Sequence, residues 1–422
     1  MIDINLIRQE PEVVKASLEK RGESTGVVDE IAKLDEEWRG MLQQSEKLKH
    51  HRNKISLKIS ELKKQKKDIK AKITEMRELN DDITSHDSKT REKKEQIDKQ
   101  MLTVPNLLHD SVPKGDSDED NEVLREVGNK PKFEFKPKSH IDLGESLDLI
   151  DIQKASEVSG ARFYYLKNEA VLLEFALVRF VMGRLVKEGF VPVVTPALIR
   201  GQVMEGAGFL PAGKDDIYKI EDQDLYLVGT SEQALSGLHM GEIVERSELP
   251  KYYAGFSSCF RTEAGSHGKD TKGIFRVHQF DKIEMFMFTE PEKSWDEYEK
   301  LLKIAEGIYR DLEIPYRVVN VCTSEMGVVA AKKYDIEAWF PSQGTYREVV
   351  SCSNCTDYQA RRLNVKCRAG MQEKPVHVHT LNSTACAISR TLVAIIENFQ
   401  QKDGTIRVPQ ALQDYLNFKT IG

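Results

Sequence analysis

The chain has 422 residues, 31% of them charged, and a formal net charge of −6, which leaves room for two or three domains and argues against general nucleic-acid affinity, though not against local basic patches. Its most apolar helical run, Ala170 to Val186, is broken by Glu174, Arg179 and Arg184, so no membrane span is expected, and six cysteines in so long a chain exclude a disulfide framework. The opening MIDINLIRQE lacks the basic start and apolar core of a signal peptide, so a reducing cytoplasm is the expected compartment.

In chain order, Glu12 to Lys20 reads as a short helix closed by Gly22. A heptad seam follows: Ile31, Leu34, Trp38, Met41, Ser45, Leu48, Arg52, Ile55, Ile59 and Leu62. Spacings alternate three and four, as in a coiled coil. A poorer seam runs through Ile69, Ile73, Met76, Asn80 and Ile83, then Ile97 and Met101, with a weak middle, ITSHDSKT. Between the two seams lies KKQKKD. A turn there folds the helices into an antiparallel hairpin, and 1.5 Å per residue gives each arm roughly 50–60 Å. The tip is basic. Lys47, Lys49, Arg52, Lys54, Lys58, Lys63, Lys64, Lys66, Lys67, Lys70 and Lys72 face only Glu46, Glu61 and Asp68 as counter-charges. Solvated coiled-coil faces mix signs, so this bias favours contact with a phosphate backbone.

Residues 105–132 read as a linker, where Pro105, Pro113 and an acidic cluster stop the helix. From 133 to 422 the pattern is globular. Asn168 to Lys187 predicts a helix, and Pro192 and Pro196 in the next apolar run suggest an edge or interface strand. Short apolar or alternating runs then recur at Leu225–Thr230, Tyr252–Arg261, Ile274–Thr289, Tyr316–Thr323, Tyr346–Ser353 and Val376–Thr384, before a helix at Cys386–Phe399. Successive strands with few helices between them imply an antiparallel sheet flanked by helices. The expected class is therefore α+β, with a helical arm joined to a sheet domain.

Two motifs point elsewhere. Gly208 to Lys214, GFLPAGK, has the spacing of a phosphate-binding loop, but Asp215 stands where a Ser or Thr hydroxyl is needed and Pro211 removes a backbone donor. Cys352 and Cys355 form a CxxC without a second paired motif, which a zinc knuckle requires.

The chemistry concentrates in FRTEAGSHGKDTKGIFRVHQFDKIE, Phe260 to Glu284. Arg261 and Glu263 stand two apart. Arg276, His278, Phe280, Lys282 and Glu284 then alternate, so a strand turns all five to one face. Guanidinium groups fork onto phosphate oxygens and an aromatic face stacks on a base, so this mixture suits ATP. A charged, solvated hairpin is the plain alternative.

The words of this stretch, Phe260-Arg261-x-Glu263 and Arg276-x-His278-Gln279-Phe280, resemble motif 2 of class II aminoacyl-tRNA synthetases, and the HQFDKIE ending resembles the seryl-tRNA synthetases. The arm, the linker, the 168–196 segment (motif 1, a dimer interface) and LNSTACAISRT (motif 3) are similar to that family in order along nearly the whole chain. The resemblance implies an enzyme that joins L-serine to ATP and then transfers serine to tRNA(Ser), with tRNA(Sec) left open. It implies a homodimer and a requirement for Mg²⁺.

It also implies roles. Arg261 would hold the α-phosphate and substrate carboxylate, and Arg390 the γ-phosphate, with Arg276 a second γ-phosphate candidate. Phe280 would stack under adenine and Glu263 accept from its amino group, with Thr262 and His278 beside them. Glu348 and Ser351, flanking Val349 and Val350, would bind ATP and Mg²⁺, for which oxygen ligands are apt. Their parity differs, so both can face one site only if the strand bulges. Thr230, Ser231, Glu232, Arg261, Glu284, Asn382 and Thr384 would read serine. Lys47, Arg52, Lys54, Lys63, Lys64, Lys66 and Lys67 would bind tRNA. Two rivals are a ligase charging a carrier protein, which would lack the arm, and a non-catalytic RNA-binding scaffold, which would have lost the charged site residues.

Overall fold

The computed structural model describes residues 1–264, 270 and 272–422. It divides into two compact units, residues 2–105 and, together with Met1, residues 106–422.

In the first unit, helices Ile4–Gln9 and Pro11–Lys20 precede α1 (Gly26–Lys64) and α2 (Lys70–Met101). At 1.5 Å per residue the long pair extend about 58 and 48 Å. Ile31, Ser45 and Ile55 of the expected seam are buried, and its other members are half-buried. The second seam differs from expectation: Asn80 is exposed, and Leu79 is buried with Ile83 against Ile55. Leu79 sits three residues after Met76 and four before Ile83, so the apolar side chain keeps the helical stripe and the amide turns to solvent. The weak middle is polar by construction. Asp87 accepts from the Ser45 hydroxyl and from Lys49 at 3.0 Å. At the base, buried Asp35 is gripped by Arg8 (2.7 and 2.9 Å) and Arg39 (2.8 Å). A buried carboxylate persists only when its charge and lone pairs are met in this way.

In the second unit, eight strands form one sheet: β1 (Glu122–Val127), β2 (Val191–Val194), β3 (Lys251–Phe260), β4 (Gln279–Thr289), β5 (Tyr316–Asn320), β6 (Lys332–Phe340), β7 (Thr345–Asn354) and β8 (His379–Ala387). Their order is β1-β5-β6-β7-β8-β4-β3-β2. All neighbours are antiparallel except the edge pair β2 and β3. The 105–132 segment is not a free linker, because Glu122–Val127 pairs with β5 at the sheet edge. Pro192 lies in β2, paired on one side only, where its missing donor does no harm.

Period-two alternation sorts the sheet's faces. Ile283, Met285, Tyr334, Ile336, Ala338, Val350 and Cys352 join the main core with helices α3 (Glu169–Lys187), α5 (Ser294–Asp311) and α6 (Ile388–Asn398), α4 (Ser231–Ser236) lying elsewhere in the unit. Phe280, Lys282, Glu284, Lys333, Ser351 and Ser353 instead line a cavity.

Candidate active site

That cavity measures about 490 Å³, ample for a nucleotide with a small amino acid. Its walls draw on the sheet, on helix ends and on loops. From β4 come Phe280, Lys282 and Glu284, from β8 Asn382 and Thr384, and from β7 Glu348, Ser351 and Ser353. Alternation brings the first two sets inward; the third needs a defect in the ladder. Ile336 pairs with Val350, but the next residue, Glu337, pairs with Glu348, so Val349 is an extra residue. The bulge resets the parity and turns Glu348 and Ser351 to the same side, as the opposed positions required. A second bulge, between Thr384 and Cys386 on β8, lies beside it.

Polar groups in the cavity form two clusters. In the first, Glu232 is buried at the start of α4, whose N-cap is Thr230. Its carboxylate accepts from Gln359 (3.0 Å) and Asn382 (3.1 Å). Burial, with Glu284 nearby, pushes the Glu232 carboxyl up to about 7. Thr384 donates to Glu284 at 3.4 Å, and Lys282 pairs with Glu284 at 2.6 Å. Ser231 is inward but away from the cavity: its hydroxyl donates to the Gly255 carbonyl, so of these three consecutive residues only Thr230 and Glu232 line the wall.

The second cluster is cationic. Arg261 lies over the Phe280 ring, 5.2 Å from its centroid, and its Nε donates to the Gly229 carbonyl at 3.2 Å. Arg390 lies over Phe275 at 4.8 Å and donates to the Glu348 carbonyl at 3.0 Å. Arg276 pairs with Glu263 at 2.7 Å. Confinement raises the Glu348 carboxyl, but Arg390 and Lys333 outweigh it and hold the group below the usual carboxylate range.

The clean alternation from Arg276 to Glu284 holds only in part. Pairing of β3 with β4 begins at Phe260 with Gln279, so Phe275, Arg276 and Val277 all line the cavity while His278 does not. The His278 ring donates to the Arg261 carbonyl (2.9 Å) and packs on Phe163. It therefore ties the two ends of the loop together. Likewise Glu263 is not in a strand with Arg261: its φ of 54° turns the chain, and its carboxylate reaches Arg276 instead. Thr262 donates to the Asp215 carbonyl, and Val350 is wholly buried in the core, so neither side chain lines the cavity. The loop residues 265–269 and 271 lie outside the described residues.

Lys282 lines the wall as its alternation predicted, and four further lining residues were given no role in the sequence: Lys333, Ser353, Cys355 and Ser389. Lys282 and Ser353 follow from alternation, but Lys333 and Cys355 become lining groups only through the sheet order. The GFLPAGK loop contributes Gly208, Phe209, Ala212 and Gly213 to the wall. A single turn of 3-10 helix, Lys214–Asp216, follows it, so the helix that stabilises anions in a phosphate-binding loop is missing there. Cys352 packs in the core and Cys355 on the cavity, and all six cysteines are free thiols.

Residues 1–108 match the seryl-tRNA synthetase N-terminal domain, and residues 218–399 the class II tRNA synthetase core domain shared by the G, H, P, S and T enzymes. The serine–tRNA ligase of Pyrococcus horikoshii is 49% identical over 443 residues, covering 100% of this chain and 97% of that protein. The chain belongs to the seryl-tRNA synthetase family. Two family structures agree with the fold. The P. horikoshii seryl-tRNA synthetase complexed with ATP superposes with a TM-score of 0.94 at 48% identity, covering 100% of this chain and 99% of that one. The cytoplasmic serine–tRNA ligase of Naegleria fowleri in complex with AMP gives 0.89 at 37% identity, covering 100% and 98%. The family's helical arm is thus α1 with α2, and its antiparallel catalytic sheet carries the cavity. No helix among the described residues is long and apolar enough to cross a membrane.

Proposed function

We propose that the protein activates L-serine with ATP and transfers it to the 3′ end of tRNA(Ser), in the cytoplasm and as a homodimer. In the first step a serine carboxylate oxygen attacks the α-phosphorus. The bond to the bridging oxygen breaks, and pyrophosphate leaves with the electron pair. In the second, a terminal ribose hydroxyl attacks the seryl carbonyl carbon. The mixed anhydride breaks, AMP leaves, and the hydroxyl proton is released to water. Neither step needs a protein nucleophile; both need two anions held in register and their charge met.

The observation that carries this reading is the pairing of the two clusters in one cavity. Arg261 would bridge substrate carboxylate and α-phosphate, Arg276 and Arg390 would take the outer phosphates, and Phe280 would support adenine. Glu232 would accept the serine ammonium. Glu284, Asn382 and Thr384 would satisfy the hydroxyl, so an analogue without it would strand buried polar groups. Glu348 and Ser351 fit Mg²⁺, since the bulge aims two oxygen groups at one space and the Oδ1 of neighbouring Asp335 is buried without a partner. Bound there, Mg²⁺ would offset the triphosphate charge. ATP–pyrophosphate exchange measured with each of the twenty amino acids, followed by charging of total tRNA, tests the whole assignment: serine alone should support both.

The Glu232 carboxyl gives the reading a pH signature. With its pKa raised to about 7 by burial and Glu284, it is mostly protonated at pH 6 and a poor partner for an ammonium. Serine binding must then release a proton, so affinity rises with pH up to the raised pKa and levels above it. The KM for serine should fall about five- to tenfold from pH 6 to pH 8 at saturating ATP, roughly the change in ionised fraction. A KM that is flat across this range would remove Glu232 from the role.

The dimer reading rests on an apolar face around α3 and β2. Leu172, Phe175, Val191 and Val194 are exposed, Phe175 by 65% and Val194 by 79%, large apolar side chains of the kind that gather at subunit contacts. A twofold axis would cover it with its own copy. Light scattering should give twice the chain mass, and Phe175→Glu should shift it toward monomer. An active monomer at nanomolar concentration contradicts the reading.

A further inference from the structure

Three walls of the cavity have occupants under the reading above: Phe280 and Arg261 for the nucleoside, Arg276, Arg390 and Glu348 for the outer phosphates, and Glu232 with Asn382 for serine. The fourth has none. It consists of the loop residues Gly208, Phe209, Ala212, Gly213 and Gly327 to Ala330, with Ser353 and Lys333 at its base. The two loops close on each other tightly: a Cβ at Gly208 would lie 2.5 Å from the Val329 side chain.

Lys333 is the charged group of this wall. It lies on β6, opposite Ser353 on β7, which lies opposite Asn382 on β8. Strands are about 4.8 Å apart, so its backbone is about 10 Å from that of Asn382, and both side chains line the same cavity. Asp335, two residues along the same face, tethers the ammonium at 3.6 Å. Asp335 lies opposite Ser351 on β7. The Lys333 side chain is 18% exposed, to the cavity, so the ammonium is steered while a donor remains for a ligand.

We propose that Lys333 binds the 3′-terminal nucleotide of tRNA, contacting its phosphate as the ribose hydroxyl approaches the seryl carbonyl. The inference rests on the two-step reaction proposed above. Once the adenylate fills the other three walls, the second nucleophile must enter from this side. These loops present Gly, Ala, Val and Phe side chains and no charge of their own, so the lysine is the group that would meet the anion arriving with the ribose.

The test separates the steps. Lys333→Gln and Lys333→Arg are compared by serine-dependent ATP–pyrophosphate exchange and by single-turnover transfer from preformed seryl-adenylate to tRNA. For Lys333→Gln the ratio of transfer to exchange should fall at least ~10-fold, the scale of one lost charged hydrogen bond. The apparent Kd for tRNA in the transfer step should lose part of its salt dependence, and Lys333→Arg should restore most of the ratio. If exchange and transfer fall together, Lys333 serves activation or merely balances Asp335, and the proposal is overturned. Transfer as fast as in the parent overturns it too. Should the variant unfold, the same comparison made with Lys333→Met at matched circular dichroism decides between these outcomes. A parent enzyme inactive in serine exchange would instead count against the two-step reading itself.

Discussion

Arg261→Ala should lower serine-dependent ATP–pyrophosphate exchange at least ~100-fold in turnover, the cost of one lost donor to a developing transition-state charge. Two contacts fix this guanidinium before any substrate arrives: the Phe280 ring beneath it and the Gly229 carbonyl accepting from its Nε. The remaining edge is free to fork onto a carboxylate and a phosphate at once. Arg261→Lys should recover little, because an ammonium is a point charge and cannot keep that bidentate geometry. The fold should survive either change, since the backbone bond from Arg261 to the His278 carbonyl, 3.0 Å, does not involve the side chain. Unchanged exchange in a folded Arg261→Ala protein would sink the assignment of this arginine.

The second large effect concerns the arm. Removing residues 41–90 and closing α1 to α2 with a short turn should leave serine activation nearly intact and collapse tRNA charging. The cut spares the Arg8–Asp35–Arg39 cluster and the Glu37–Lys93 pair, and it removes Ser45, Lys49 and Asp87 together, so no buried charge is orphaned. The cavity residues all lie beyond position 207, which is why activation should be insensitive. Charging should fail because phosphate contacts release counterions and supply most of the tRNA affinity. For the intact protein, log affinity should fall with log salt by roughly 0.7–0.9 per contact. Lys63, Lys64, Lys66 and Lys67 stand exposed at the tip. Changing all four to Glu tests the tip alone. If that variant charges tRNA like the parent at physiological salt, contact must be made lower down, around Lys47 to Lys58.

Several features were legible from spacing alone because they obey a strict local period. The hairpin arm followed from heptads and a lysine-rich turn. The inward set Phe280, Lys282 and Glu284 followed from alternation on a strand, and the edge position of Pro192 from its missing donor. Even the bulge at Val349 could be inferred, since two residues of opposite parity were asked to serve one site. Other readings failed where the period did not apply. His278 is spaced as a strand residue, but the ladder starts only at Gln279, so its ring turns to Phe163. Asn80 yielded its place to Leu79 because helix packing selects the apolar residue of two adjacent candidates.

By itself, then, the sequence determined the class of each element, the faces of its central strands and the family to which those words belong, because these depend on residues a few positions apart. Only the tertiary structure decided which distant segments share the cavity. It put Glu232 under Asn382, 150 residues away, and raised its carboxyl by burial beside Glu284. It placed Lys333 two strands from Asn382 through a sheet order that no local pattern encodes. Long-range pairing depends on packing summed over the whole sheet, and burial, which sets the strength of each charge, exists only once that packing is complete.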